Sequence, residues 1–224
     1  MNPFEYLKAI NESKKDIMID ALFSTPIYRS VIPNSLDGFF TLSEKQFFKS
    51  LKRKVKKNIG NVNTIDTYVL ENKKLLSLKQ KIIEHVNAYF DEVYAPKTNV
   101  IPYITQSWIN YTDENQFHHK HSHPNSLVSG VLYLDADIDL DSIVFYRPNQ
   151  YQTITIYTKD DCYNVFNSSL WTYAVKTGDI VLFPSSVEHS VKTKKGKRTR
   201  MSLAFNVFVK GTMGSTQGLS ELKL

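Results

Sequence analysis

The stretch Arg200-Met201-Ser202-Leu203-Ala204-Phe205-Asn206-Val207-Phe208 decides the fold. Its odd positions, Met201, Leu203, Phe205 and Val207, are all apolar, and its even positions are mostly small or polar. Successive side chains of a β-strand point to opposite faces. One face of this strand can therefore pack on helices, while the other, with Arg200, Ser202, Ala204 and Asn206, lines an interior. An arginine in an interior needs an anionic partner, because an unpaired buried charge is very costly. A carboxylate suits it, since guanidinium binds one bidentately. The competing reading is an exposed strand face with Arg200 in solvent.

Upstream, Gly178-Asp179-Ile180-Val181-Leu182-Phe183-Pro184 reads as a turn feeding a buried strand that ends at proline. From Pro96 to Val209 short alternating or apolar runs are broken by Pro, Gly, Asn and Asp. Strands are predicted over Tyr103–Tyr111, Leu127–Asp135, Ser142–Tyr146, Thr153–Tyr157, Trp171–Val175, Asp179–Phe183, His189–Lys192 and Thr199–Val209. Such spacing points to a sandwich, barrel or jelly roll.

The part before Pro96 has helical periodicity. One helix is expected in residues 1–20, a second from Ser43 to Val55 with Ser43 and Gln46 as a capping box, and a third from Lys73 to Tyr94 with Asn72 as N-cap. The third carries a stripe of Leu75, Leu76, Ile82, Ile83, Val86, Tyr89, Phe90 and Val93, which needs a sheet to cover. The expected class is thus α+β, mainly β, with helices on the outer face of one sheet. The expected divisions are a helix over 1–20 that could dock elsewhere, a β-domain with its supporting helices over 21–210, and a mobile tail over 211–224.

Composition narrows the setting. The chain has 224 residues, 42% of them hydrophobic, so it can bury a real core. Thirteen Phe, thirteen Tyr and two Trp favour β-structure. Cys162 is the single cysteine, which excludes an intramolecular disulfide and fits a reducing, cytosolic setting. No apolar run approaches the roughly 20 residues that cross a bilayer, and Met1 to Asp20 is too charged for a secretory signal. The net charge of +6 concentrates in Lys52, Arg53, Lys54, Lys56 and Lys57, and in Lys192, Lys194, Lys195, Lys197, Arg198 and Arg200. Such clusters attract polyanions such as nucleic acid, or are simply a solvated helix face and hairpin turn.

The densest chemical signal is Phe117-His118-His119-Lys120-His121-Ser122-His123-Pro124-Asn125-Ser126, which holds four of the six histidines. On a strand, His121 and His123 present two imidazoles to one point, and His119 shares their face. Imidazole suits iron, zinc, copper and nickel. Asp135, Asp137, Asp139 and Asp141 alternate like a calcium loop but lack its glycine and terminal glutamate, so they read as a solvated turn. Trp108 and Trp171 read as core. The segment from Arg147 to Lys176 is long enough to be a lid.

These motifs occur in the order of a known family. His121-x-His123-Pro-Asn-Ser, then Ser129-Gly130-Val131-Leu132-Tyr133-Leu134, then Gly178 to Ser185, then His189, then Arg200-x-Ser202 resemble the 2-oxoglutarate/Fe(II)-dependent oxygenases. The resemblance is nearest to a subgroup of marine bacteria and tailed phages. Leu22 to Tyr28 looks like that subgroup's opening strand, and Trp108-Ile109-Asn110 like the segment before its metal motif. The resemblance implies a double-stranded β-helix, the cupin-like jelly roll. It implies a dioxygenase that uses Fe(II), 2-oxoglutarate and O2, decarboxylates the keto acid to succinate, and hydroxylates a substrate the sequence does not name. His121, His123 and His189 would hold the metal. Arg200, helped by Ser202 and Tyr133, would hold the far carboxylate of 2-oxoglutarate, with Arg198 as a competing clamp.

His123 stands where most of the superfamily has Asp or Glu, which makes the site one unit more positive; Asp113 or Glu114 is the alternative third ligand. This departure motivates two other readings, an inactive domain kept as a binding or phage accessory module, and a three-histidine enzyme that needs no 2-oxoglutarate. Asn2 to Asn11 with Lys14-Lys15-Asp16 also resembles the start of the small clamp-loader subunit of large tailed phages, which implies a docking role for the first helix.

Overall fold

The computed structural model describes residues 18–32, 39–97, 99–148 and 156–224. Two antiparallel sheets dominate. The larger is built from β1 (Tyr28–Val31), β2 (Val55–Lys57), β3 (Val62–Thr64), β4 (Val100–Thr112), β6 (Val128–Asp135), β9 (Asp179–Pro184) and β11 (Arg200–Met213), in the spatial order β1-β9-β6-β11-β4-β3-β2. The smaller is built from β5 (His118–His121), β7 (Ser142–Tyr146), β8 (Leu170–Ala174) and β10 (His189–Val191), in the order β5-β10-β7-β8. Consecutive strands β5 to β10 alternate between the sheets except where β7 and β8 pair directly. This is the jelly-roll arrangement expected from the sequence.

The two faces of the larger sheet are distinct. Ile109, Leu132, Ile180, Leu182, Leu203, Phe205 and Val207 pack outward on one core. That core is completed by α1 (Leu42–Leu51), through Phe48 and Leu51, and by α2 (Leu76–Val93), through Leu78, Ile82, Val86, Tyr89 and Phe90. The intervening residues Tyr133, Val181 and Phe183 face inward, and form a second core with Ile143 and Phe145 of the smaller sheet. The period of two in β6 and β9 therefore builds both cores at once, while β11 contributes to the outer one.

Several boundaries differ from expectation. α1 ends at Leu51, not Val55, because Val55 begins β2. Its capping box is Thr41 with Glu44, not Ser43 with Gln46: Thr41 Oγ1 accepts from Glu44 N at 3.2 Å, and Thr41 N donates to Glu44 Oε2 at 2.7 Å. Asn72 caps a 3₁₀ turn, Lys73–Leu75, which leads into α2. Leu76 and Val93 of the expected stripe are exposed, and Leu78, absent from it, is buried. The opening strand begins at Tyr28, where the segment resembling it ends. Ile156 and Tyr157 lie outside any strand and are exposed, while residues 153–155 fall outside the described residues, as does the first expected helix through residue 17. The tail is not free: β11 continues to Met213 and pairs with β12 (Leu222–Lys223). Part of the expected lid, Leu170 to Ala174, is β8.

Candidate metal centre

The smaller sheet sets two histidines face to face. His189 opens β10 and is the register partner of His121, the last residue of β5. His123 lies two residues beyond β5, in a loop pinned by its own backbone N–H on Ser185 O at 2.9 Å. The three rings meet with centroids 4.3 Å (His121–His189), 5.0 Å (His121–His123) and 5.2 Å (His123–His189) apart. One ligand nitrogen from each lies within 4.8 Å of the others. His121 and His123 thus converge from a strand end and a loop, not from one strand face. A β-bulge between His189 and Val191 also breaks the period of two, so His118 faces the same pocket as His121.

Each ring has one nitrogen committed. His121 Nδ1 lies 2.8 Å from His119 O, His189 Nδ1 3.1 Å from Val187 O, and His123 Nδ1 2.6 Å from Asn206 Oδ1. Carbonyl oxygens only accept, so each Nδ1 must carry the proton. That tautomer, assigned from its partners, leaves the lone pair of every neutral ring on Nε2. His123 Nε2 is buried and has no hydrogen-bond partner. Burial favours the neutral form throughout. It draws His121 down to about 4 and His189 to about 3, each helped by the neighbouring imidazoles, and it also lowers His123.

A shell of other side chains orients the rings. Asn206 Oδ1 also accepts from Ser129 Oγ at 3.1 Å, and Ser129 Oγ lies 2.8 Å from Ser185 Oγ. Trp108 stacks on His123 with centroids 5.8 Å apart, and Phe183 meets His189 edge-on at 4.7 Å. Trp108, expected in the core, is therefore a wall of the site. A second group, His118, His119 and His121, meets the same 4.8 Å separation. It shares His121, whose single free nitrogen can serve one ion. Asp113 is bound instead to Lys52 and Thr199, and Glu114 is exposed.

Behind the histidines the pocket is walled by Asn110, Tyr133, Arg200, Ser202 and Ala204. Arg200 is 3% exposed, Ser202 6% and Tyr133 1%. Arg200 Nη2 donates to Thr112 Oγ1 at 3.0 Å, and Arg200 Nη1 lies 3.7 Å from Asp141 Oδ1. Arg198, the competing clamp, is on the surface and paired with Asp135. Two further residues were missed in the sequence. Asp141 is buried at 3% exposure and Lys194 at 2%, and Lys194 Nζ donates to Asp141 Oδ1 at 3.1 Å. Both had looked solvated, one in an aspartate-rich turn and one in a basic turn. With Lys194 and Arg200 turned inward, the second basic cluster keeps only Lys192, Lys195, Lys197 and Arg198 at the surface.

Fold and site together define a double-stranded β-helix with a histidine cluster in its interior. Residues 106–206 match the family described as "Putative 2OG-Fe(II) oxygenase". Among solved structures, an oxidoreductase of the 2OG-Fe(II) oxygenase family from Burkholderia pseudomallei aligns at TM-score 0.51 and 13% identity, over 92% of this chain and 90% of its own. HygX from Streptomyces hygroscopicus, crystallised with nickel, 2-oxoglutarate and hygromycin B, aligns at TM-score 0.55 and 11% identity, over 90% and 86%. A prolyl-4-hydroxylase from Pseudomonas putida aligns at TM-score 0.54 and 13% identity, over 83% and 94%. At these identities the likeness is one of fold. No curated protein matches the chain by sequence. No helix among the described residues is long and apolar enough to cross a membrane.

Proposed function

We propose that this protein is an Fe(II)- and 2-oxoglutarate-dependent dioxygenase in which His121, His123 and His189 hold the metal and Arg200 holds the co-substrate. One observation carries the reading: three imidazoles, His189 buried and His121 and His123 half-buried, bring a ligand nitrogen each to within 4.8 Å of the others, in a pocket also lined by a buried guanidinium. The donor set fits a borderline divalent cation such as Fe(II), for which imidazole is a suitable ligand. Iron and the keto acid would supply oxidative decarboxylation to succinate coupled to hydroxylation of a C–H bond.

The chain's own residues position and exclude. The carbonyls of His119 and Val187 and the amide of Asn206 fix the tautomer and aim of each ring. Ser202 and the phenol of Tyr133, which burial keeps protonated, stand with Arg200 at the closed end of the pocket, where they can donate to a carboxylate. Phe183, Ile143 and Val131 keep that end dry, which strengthens the ion pairing. The open end is a groove walled by Asn58, Asn63, Gln106, Trp108, Asn125 and Asn206, where the substrate to be hydroxylated would lie.

The test is anaerobic titration with Fe(II) and then 2-oxoglutarate. A visible charge-transfer band on adding the keto acid is the expected result. Iron that binds without producing the band would transfer the site to the three-histidine reading without 2-oxoglutarate. The inactive-module reading is the less favoured one, because the site leaves the buried Nε2 of His123 without a hydrogen-bond partner.

A further inference from the structure

Arg200 does not stand alone at the closed end of the pocket. Behind it, away from the cavity lining, lie Asp141 and Lys194, a carboxylate and an ammonium whose side chains are 2% and 1% exposed. A lone aspartate beside a buried arginine would neutralise it and leave nothing for an incoming anion. The distances show another division. Lys194 Nζ holds both oxygens of Asp141, at 3.1 and 3.3 Å, whereas Arg200 reaches only Oδ1, at 3.7 Å, beyond hydrogen-bond range. Arg200 spends its Nη2 on the neutral hydroxyl of Thr112, which also accepts from Asn61 Nδ2 at 3.3 Å. Asp141 is further engaged by the backbone N–H of Asp137, which donates to Oδ2 at 2.9 Å. Its acceptor capacity is largely used by partners other than Arg200.

Deepening the co-substrate reading, on which it rests, we propose that Lys194 and Asp141 are positioning residues that set the charge of the clamp. Lys194 neutralises Asp141, and Arg200 keeps one unbalanced positive charge toward the pocket. Two cations and one anion sum to +1, which one carboxylate balances. The pocket therefore selects a 2-oxo acid with a second, distal carboxylate over a 2-oxo monoacid. Removing the Lys194 charge would let Asp141 turn its charge on Arg200 and cancel the attraction. Removing both charges would restore +1.

The experiment uses the full chain loaded with nickel(II), which suppresses turnover, titrated calorimetrically with 2-oxoglutarate and with pyruvate, the monocarboxylic analogue. The wild type should prefer 2-oxoglutarate by about tenfold or more. Lys194→Met should lose most of that preference, through weaker binding of 2-oxoglutarate with pyruvate little changed. The double variant Lys194→Met with Asp141→Asn should recover it to within about threefold, a charge rescue that a packing role would not produce. Retained preference in Lys194→Met, or a double variant as weak as the single, overturns the proposal while leaving the co-substrate reading intact. A wild type that binds neither acid overturns that reading itself, and this inference with it. Where Lys194→Met does not fold by circular dichroism, Asp141→Asn alone decides. It raises the pocket charge and must increase the preference, and an unchanged ratio overturns the proposal.

Discussion

At the residue scale the site depends on which nitrogen of each imidazole is free. His121 and His189 take their orientation from backbone carbonyls two residues earlier, His119 and Val187. No side-chain substitution removes those acceptors. His123 is different, because its Nδ1 rests on the side chain of Asn206. Asn206→Ala should therefore free the His123 ring and weaken metal binding by roughly 10–100-fold, in the range seen when such orienting partners are lost. Competition against a chromophoric chelator measures it, and an unchanged affinity would remove Asn206 from the site's support. The sequence offered His121, His123 and Arg200 as candidates through strand spacing, and His189 through the family resemblance. It did not show Asn206 as their partner, since an asparagine on the interior face of a strand has many uses. Asp141 and Lys194 were less legible still. Alternating aspartates and a run of lysines look solvated unless the fold turns one of each inward.

At the element scale, the strand β6 must pass between β9 and β11 with Gly130 facing Phe205 on one neighbour and Leu182 on the other. A Cβ at Gly130 would stand 2.1 Å from Phe205 Cζ and 2.8 Å from Leu182 Cδ2. Both rings and branches belong to the buried core, so neither can swing into solvent. Gly130→Ala should cost about 1–3 kcal/mol, the range for overpacking a filled interior, and urea unfolding will show it as a lower midpoint with unchanged slope. An equal midpoint would mean that the sheet yields at this point. Gly178 has a separate reason to be glycine, a φ of +92° in the turn that launches β9. Element identity was read well wherever alternation was long, as in β6, β9 and β11. The short β2–β3 hairpin was not found, because three-residue strands are below the length at which periodicity can be recognised.

At the scale of the whole molecule, the histidines join two sheets. β5 and β10 lie in the smaller sheet, while the loop of His123 is fixed on Ser185, after β9, and on Asn206 of β11 in the larger. A metal held by all three would cross-link the sheets, and without it the folded chain must keep buried imidazoles neutral. Burial holds His118 at about 2, His121 at about 4 and His189 at about 3, all below the ordinary value of 6.5. As pH falls below that ordinary value the unfolded chain takes up protons that the folded one refuses. Stability therefore falls with pH down to the folded-state values. The metal-free protein should lose Tm steadily between about pH 7 and pH 4. At about pH 7 nickel(II) at about 100 times its Kd should add roughly 2.7 kcal/mol, reversed by chelator. Thermal scans across that pH range check both, and a Tm indifferent to acid and to nickel would contradict a site made of these desolvated rings.

The sequence by itself determined that helices precede a β-domain, which face of the last strand turns to the helices, and which three histidines and which arginine serve as candidates. Those are properties of local alternation and of residue chemistry at fixed spacing, with His189 added by the order of motifs in the family it resembles. Only the tertiary structure decided that His123 arrives from a loop, that a bulge turns His118 inward, that Trp108 walls the site, and that Asp141 and Lys194 meet behind Arg200. Asp141 and Lys194 are 53 residues apart and come together only when the strands close. Burial, and the charge balance it enforces, depends on what lies across the interior, which no local pattern records.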